Sequence, residues 1–157
     1  MKGIVFAEFL DMVDANFGET VTEEIIAESD LPSGGVYTAV GTYDHAEIVT
    51  LVMGLSGKTG LPVPDLVRAF GQHLLTRFAA LYPDFFETGG DVLAFLERVD
   101  GYIHGEVRKL YPTATLPKLV TERTGAGDLV ITYRSDRRMG DLAEGLITGA
   151  IAHFGER

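Results

Sequence analysis

Three polar side chains near the C-terminus have types and a spacing that suit the binding of an anion. Tyr133, Ser135 and Arg137 alternate with other residues along the chain, so on an extended strand all three point to the same face. A phenol, a hydroxyl and a guanidinium together donate hydrogen bonds that suit two carboxylates or the oxygens of a phosphate. Because the formal net charge of the chain is -10, an anion site here opposes the overall charge and indicates a specific ligand.

The acidic composition excludes several classes of partner. The chain has 23 acidic and 13 basic residues, so it repels nucleic acids and anionic lipid surfaces on average, and we expect neither partner. It has no cysteine, which excludes disulfides, thiolate zinc sites and cysteine nucleophiles. We find no nucleophile–base–acid arrangement and predict that the chain is not an enzyme. The N-terminus lacks a cleavage-site pattern, so we expect a cytoplasmic protein.

A histidine in the second half of the chain, His104, has the chemistry of a metal ligand. It lies at the edge of an apolar helical stripe, close to two glycines. A histidine in such a position is commonly a partly buried structural residue, and the alternative is a ligand to a metal or cofactor, because neutral imidazole binds iron. His45, His73 and His153 lie on other predicted segments, so no local pair supports a zinc site. One protein ligand is too few for zinc, whereas a porphyrin supplies the other nitrogens that iron needs.

The elements that position these residues are predicted to be mostly helical. Apolar spacing predicts several helices, the last of which before the sheet extends from residue 91 to Leu110 and buries Leu110. Glu97, Asp100 and Glu106 fall on the predicted solvated face of this helix, which also carries His104. Two prolines after residue 111 end it.

The remainder of the chain predicts a small sheet and a final helix. Alternating runs at residues 119–123 and 129–135 flank a glycine-rich turn, which is typical of an antiparallel hairpin. Apolar residues with helical spacing follow. The order of elements predicts the fold class α+β, a mostly helical domain with a small antiparallel sheet. With 157 residues, the chain is expected to form a single domain, 1–157.

Taken together, these features resemble the H-NOX family, the haem–nitric oxide/oxygen binding domains related to the haem domain of soluble guanylate cyclase. The resemblance covers nearly the whole chain. The matching residues are the opening residues 1–6, the Gly34-Gly35 loop before Tyr43-Asp44, Phe70-Gly71, His104 followed by Leu110-Tyr111-Pro112 and Leu116-Pro117, and the motif of Tyr133, Ser135 and Arg137. This combination is much more specific than the Tyr-x-Ser-x-Arg motif alone.

The resemblance implies a complete haem site. By matching to the family, His104 is the proximal ligand to the iron of haem b, and Pro117 presses on the porphyrin and bends it. Tyr133, Ser135 and Arg137 bind the two propionates. The haem is expected to be buried between an N-terminal helical part and a C-terminal part of helix and hairpin. Within the domain, the N-terminal helical subdomain is expected at about 1–60 and the haem-ligating remainder at about 61–157.

The distal positions implied by the resemblance predict which gas binds. Oxygen-binding members of the family carry a tyrosine seven residues after the motif serine, and this chain has Leu142 there. The other matching distal positions are Val5, Phe9, Leu74 and Phe78. Ferrous iron passes negative charge to O₂ and much less to NO, so binding of O₂ needs a hydrogen-bond donor. We therefore predict a site for NO, and more weakly for CO, that largely excludes O₂.

The family resemblance also implies a signalling role. Binding of NO weakens the bond between iron and His104, and the N-terminal helices shift against the rest of the domain. The output partner is predicted to be a histidine kinase or a cyclic-di-GMP enzyme. Family domains continue past the last helix into further strands, which we expect to be absent from this chain. The alternative function is a haem-free interaction module of the same fold, which binds another anion or a partner protein with the face that carries Tyr133.

Overall fold

A computed structural model describes residues 1–87 and 89–155. The helices in this part of the chain are α1 (Gly3–Phe17), α2 (Glu19–Ala27), α3 (His45–Thr59), α4 (Val63–Leu81), α5 (Val92–Arg98), α6 (His104–Leu110) and α7 (Gly140–His153). A 3-10 turn at Pro83–Phe85 follows α4, and a π turn at Val99–Ile103 connects α5 to α6. The strands are β1 (Lys118–Arg123) and β2 (Leu129–Arg134). No helix in the described ranges is long and apolar enough to span a membrane.

The fold class is the predicted one, α+β, with helices predominating and one small antiparallel sheet. The described residues form a two-stranded sheet in which β1 pairs with β2. Its register places Lys118 opposite Arg134 and Leu119 opposite Tyr133. The hairpin therefore brings the segment just before β1 beside the segment just after β2.

Helix ends in the first half follow local signals in the sequence. The Asp44 carboxylate accepts a hydrogen bond from the Ala46 N–H at 2.9 Å and caps the N-terminus of α3. Gly60 ends the same helix in the left-handed conformation, with φ of 75°. Pro64 lies in the first turn of α4, where the missing N–H of proline costs no helical hydrogen bond.

The apolar core consists of two clusters that meet at α7. The larger cluster is formed by Met1, Phe6, Phe9, Met12, Val13, Ile25, Leu31, Ile48, Leu51, Val52, Leu55, Leu66, Phe70 and Leu74. The smaller cluster is formed by Leu75, Val92, Phe95, Leu96 and Ala150. Leu146 of α7 packs against both clusters. The larger cluster joins side chains from both sides of the predicted boundary near residue 60, and that division remains a prediction.

A close backbone contact between α4 and α7 determines the position of α7. A Cβ atom on Gly145 would lie 2.2 Å from the carbonyl oxygen of Arg68, and one on Gly71 would lie 2.6 Å from that of Leu142. Both positions therefore need glycine at this helix crossing. The Arg68 guanidinium also pairs with Asp141 at 2.7 Å. The contact holds the N-terminal half of α7 against α4, with Leu142 packed on the larger cluster.

The helix predicted from residue 91 to Leu110 is present as a continuous helical stretch from Val92 to Leu110, and the π-helical turn at Val99–Ile103 lies between its α5 and α6 parts. A π turn adds a residue to the helical ring, and each added residue rotates the following helical face by about 100°. Apolar spacing counted through the turn therefore loses accuracy towards the end of α6, although Val107 is half-buried. Leu110, predicted to be buried, is 61% exposed.

Candidate functional site

The imidazole of His104 is largely buried, and His104 is the first residue of α6, directly after the π turn. Its side chain is 12% exposed, and its Nδ1 atom is buried without a hydrogen-bond partner among the described residues. Burial lowers the pKa of His104, against the weaker raising effect of the Asp100 carboxylate. The imidazole is therefore neutral near physiological pH, which is the form that binds metals.

Pro117 lies next to this imidazole. Its backbone carbonyl is close enough to raise the pKa of His104 slightly, although burial outweighs this effect. Pro117 immediately precedes β1, whose first residue is paired with Arg134 across the hairpin. Because Ser135 follows Arg134, the structure brings His104, Pro117 and the beginning of the predicted anion site to the same end of the sheet.

The predicted anion site is a strand end followed by a turn. The expectation that one extended strand carries all three residues is wrong, because β2 ends at Arg134. The Arg138 N–H donates to the Ser135 carbonyl at 3.2 Å, and the Arg137 N–H donates to the Ser135 hydroxyl oxygen at 3.2 Å. Arg138 has a positive φ of 52°. Tyr133, Ser135 and Arg137 are nonetheless all half-buried and alternate with exposed neighbours.

The arginines at the end of β2 and in the following turn have no acidic partner within the described ranges. Arg134, Arg137 and Arg138 form no ion pair there, whereas the hairpin cations Lys118 and Arg123 pair with carboxylates of the preceding helical segment. Unpaired guanidinium groups are strong donors for carboxylates.

A cleft lies beside this turn. Its volume is about 380 Å³, and Ser135 and Arg137 line it together with His45 and Lys118. Burial and then the Arg137 guanidinium lower the pKa of the Met1 amino group, so the N-terminus also lies near this turn. An anion bound in the cleft would be close to both the hairpin and the N-terminal segment.

The five predicted distal residues belong to one apolar region. Phe9 and Leu74 are buried members of the larger cluster, and Val5, Phe78 and Leu142 pack against it. Phe9 is 0% exposed and Leu74 is 3% exposed. None of the five side chains has a hydrogen-bond donor. The structure thus brings together α1, α4 and α7 around an apolar environment.

Asp100 is a residue whose role the sequence did not reveal. The prediction that it lies on a solvated face is wrong, because its side chain is only 16% exposed. It accepts a hydrogen bond from the Leu119 N–H at 3.0 Å and pairs with the Lys118 ammonium. Burial raises the pKa of Asp100, but the hydrogen bonds from Lys118 and the Leu119 N–H and the charge of Lys118 outweigh it, so this pKa lies below its ordinary value. The available signal was its position one helical turn before His104.

These residues have the chemistry that a haem requires. A largely buried, neutral imidazole suits a protein ligand to iron. The unpaired donors of the turn after β2 suit the two carboxylates of a porphyrin. The apolar side chains of α1, α4 and α7 suit its hydrophobic ring. The donor set therefore fits the cofactor that the sequence resemblance implied.

Comparison with known proteins identifies the family. The profile of the Haem-NO-binding (HNOB) family matches residues 2–157. The chain is 39% identical to the Fe(II) unliganded H-NOX protein from K. algicida, with a TM-score of 0.93 over 99% of this chain and 84% of that one. An H-NOX protein from S. oneidensis in the Fe(II)NO state has 32% identity and a TM-score of 0.92, covering 100% of this chain and 87% of its own.

A third solved structure comes from Shewanella woodyi. It is the solution structure of an H-NOX in the Fe(II)CO state with IWP-051 bound. Its sequence is 37% identical to this chain, and the two structures align with a TM-score of 0.86 over 100% of this chain and 83% of that one. The profile match covers nearly the whole chain, and the sequence identities of 32–39% indicate common ancestry as well as a shared fold. The chain therefore belongs to the Haem-NO-binding, or H-NOX, family, whose domains bind haem and serve as gas sensors rather than as catalysts.

Proposed function

We propose that this domain senses nitric oxide, and more weakly carbon monoxide, at a ferrous haem b, and that it largely excludes O₂. His104 is the proposed ligand to the iron. Tyr133, Ser135 and Arg137 are the proposed donors to the propionates, and Pro117 the residue that packs on the porphyrin. The bound haem supplies the iron atom to which the gas binds.

The burial of His104 supports its role as the ligand. Its Nδ1 atom is buried and has no hydrogen-bond partner among the described residues, and burial lowers the pKa of this imidazole. A buried polar atom without a partner is costly in a folded protein, by about 1–3 kcal/mol. Such an arrangement is typical of an imidazole whose ring orientation is completed by a bound group, with the other ring nitrogen as the ligand and Nδ1 left to donate a hydrogen bond.

The selectivity for NO over O₂ is carried by the apolar environment around Leu142. Leu142, like Val5 and Phe78, packs against the larger cluster, which includes Phe9 and Leu74. None of these side chains can donate a hydrogen bond to a polar bound gas. Bound O₂ carries substantial negative charge and is destabilised without a donor, whereas bound NO is nearly apolar. The relatives from S. oneidensis and S. woodyi are described in their Fe(II)NO and Fe(II)CO states, which agrees with these two gases.

A set of contacts from Lys2 offers a path for the signal. The Lys2 ammonium donates to the Thr42 hydroxyl at 2.9 Å and to the Thr113 hydroxyl at 3.2 Å. It also lies 5.5 Å from the centre of the Tyr111 ring, just beyond the end of α6. Movement of the helix that begins at His104 would therefore reach the N-terminal segment directly. The proposed receiver is a histidine kinase or a cyclic-di-GMP enzyme, and the proposed location is the cytoplasm.

An anaerobic optical titration tests this function. The purified protein is reconstituted with haem, reduced, and exposed in turn to NO, CO and air. We expect a Soret band that shifts with NO and CO and no stable oxygen complex in air. A stable oxygen complex would contradict the proposed selectivity. A colourless protein after reconstitution would favour the alternative, a haem-free module that binds another anion or a partner protein.

A matched pair of variants tests the role of the distal position. Leu142→Tyr introduces a phenol donor and is expected to produce an oxygen complex in air, because the donor stabilises charge on bound O₂. Leu142→Phe adds a ring without a donor and is expected to leave O₂ excluded. An oxygen complex in both variants, or in neither, would separate gas selectivity from a donor at this position.

A further inference from the structure

The π turn before His104 places a carboxylate beside the imidazole. Asp100 lies within this turn, and its Oδ1 atom is 3.8 Å from the Nδ1 atom of His104. Both side chains are largely buried, with 16% and 12% of their surfaces exposed. The distance is longer than a hydrogen bond, which is about 2.7–3.2 Å. A hydrogen bond between them therefore requires the ring to move closer to the carboxylate.

Other contacts hold the Asp100 carboxylate in place. Its Oδ1 atom accepts the Leu119 N–H at 3.0 Å, and its Oδ2 atom pairs with the Lys118 ammonium. Both donors belong to the start of β1, next to Pro117. Asp100 therefore connects the turn that bears His104 to the strand that begins beside the imidazole. The carboxylate has little freedom to move away from Nδ1.

The Nδ1 atom needs such an acceptor if the other ring nitrogen binds a metal. In that state Nδ1 carries the proton, and buried N–H groups almost always donate a hydrogen bond. Metal-binding histidines commonly donate their second N–H to a carboxylate or to a backbone carbonyl, which fixes the ring and strengthens it as a ligand. Two acceptors of these kinds lie near the His104 ring: the Asp100 carboxylate and the Pro117 carbonyl.

We propose that Asp100 is the positioning residue for His104 and accepts the Nδ1–H hydrogen bond when the imidazole is bound to iron. This inference rests on the proposed role of His104 as the iron ligand. A charged acceptor draws the Nδ1 proton more strongly than a neutral carbonyl does, so the imidazole donates more electron density to the metal. The iron–histidine bond should then be stronger, and the haem should be retained longer, than with a neutral acceptor.

Resonance Raman spectroscopy of the ferrous haem protein tests the proposal. Asp100→Asn keeps the size of the side chain and removes its charge, so we expect the iron–histidine stretching frequency to fall and the rate of haem loss to rise about 10-fold. Lys118→Gln removes the cation that competes for the carboxylate, so we expect the frequency to rise. Opposite shifts in these two variants cannot come from general loosening of the site.

Glu97→Gln is the matched control for this experiment. It removes another carboxylate that joins the same helical segment to the hairpin, through Arg123 at 2.9 Å, and it has no contact with His104 in the structure. We expect it to leave the frequency unchanged. An unchanged frequency in Asp100→Asn, or the same shift in Asp100→Asn and Glu97→Gln, would overturn the proposal and favour the Pro117 carbonyl. Absence of an iron–histidine band in the unmodified protein would instead contradict the proposed function.

Discussion

The two sides of the proposed haem site are built in different ways. The distal side is formed by apolar side chains of α1, α4 and α7 that belong to the larger cluster. The proximal side contains the buried His104, the Asp100 carboxylate and a π turn, joined to the hairpin by ion pairs. Packing therefore dominates one side and polar geometry the other. The comparison predicts that distal changes alter stability first, and that proximal changes alter ligand binding first.

Loss of the proximal imidazole is expected to have the largest effect. His104→Gly should abolish ligation of the iron by the protein and greatly weaken haem retention, because it removes the proposed nitrogen ligand. Free imidazole added to the variant should restore the spectrum by occupying the space that the side chain leaves. Optical spectra with and without imidazole measure this. A spectrum identical to that of the unmodified protein would show that His104 is not the ligand.

The corresponding change on the distal side should act on folding. Phe9 is 0% exposed and packs edge-on against Phe70, with ring centres 5.2 Å apart. We expect Phe9→Ala to reduce the free energy of unfolding by about 3–5 kcal/mol. Denaturant unfolding of the haem-free protein measures this, and His104→Gly serves as the proximal comparison. If His104→Gly proved the more destabilising of the two without haem, the contrast between the two sides would be wrong.

The helix crossing beneath the distal side should tolerate no added methyl group. A Cβ atom on Gly145 would lie 2.2 Å from a backbone oxygen of α4, which cannot move aside as a side chain can. We expect Gly145→Ala to destabilise the fold by about 1–3 kcal/mol. Gly57→Ala is the control, because nothing lies within 4 Å of its Cβ position in α3. The control should stabilise the protein by about 0.5–1 kcal/mol, and equal effects in thermal unfolding would argue against the close crossing.

The smallest effect is expected for an ion pair at the edge of the proximal side. The Arg123 guanidinium binds Glu97 through two nitrogen atoms, at 2.9 and 3.1 Å, and this hydrogen bond lowers the pKa of Glu97. A carboxyl group with a lowered pKa in the folded state stabilises the fold above its ordinary pKa and loses that contribution as the pH falls through the lowered value. Glu97→Gln should therefore cause a slight loss of stability at neutral pH that disappears in acid.

Unfolding midpoints measured across the acid range, at low and high salt, test this pair. Because both side chains are exposed to solvent, the difference should shrink as salt increases. The unfolding midpoint of the variant could differ from that of the unmodified protein by the same amount at all pH values. That result would show that the effect does not arise from the charge of Glu97.

Prediction from sequence succeeded where the signal is local. The cap at Asp44, the first turn of α4 and the hairpin each depend on a few neighbouring residues, and the structure contains all three. It predicted the helix that carries His104 but not the π turn within it, because a periodicity of 3.6 residues gives no indication of a π turn. The prediction that Arg137 continues the strand also failed. The alternation of residue types extends beyond the end of β2 into the following turn, so it does not mark where the strand ends.

The amino-acid sequence alone was sufficient to identify the family, the fold class and the residue types of the proposed site. Each of these depends on residue identity and on spacing along the chain. Tertiary structure was needed to show that Asp100 lies against His104 and binds the start of β1. It was also needed to show that the N-terminal amino group lies near Arg137. The contacts of Asp100 with β1 and of the N-terminal amino group with Arg137 join residues far apart in the chain, and they form because burial of apolar surface brings their elements together.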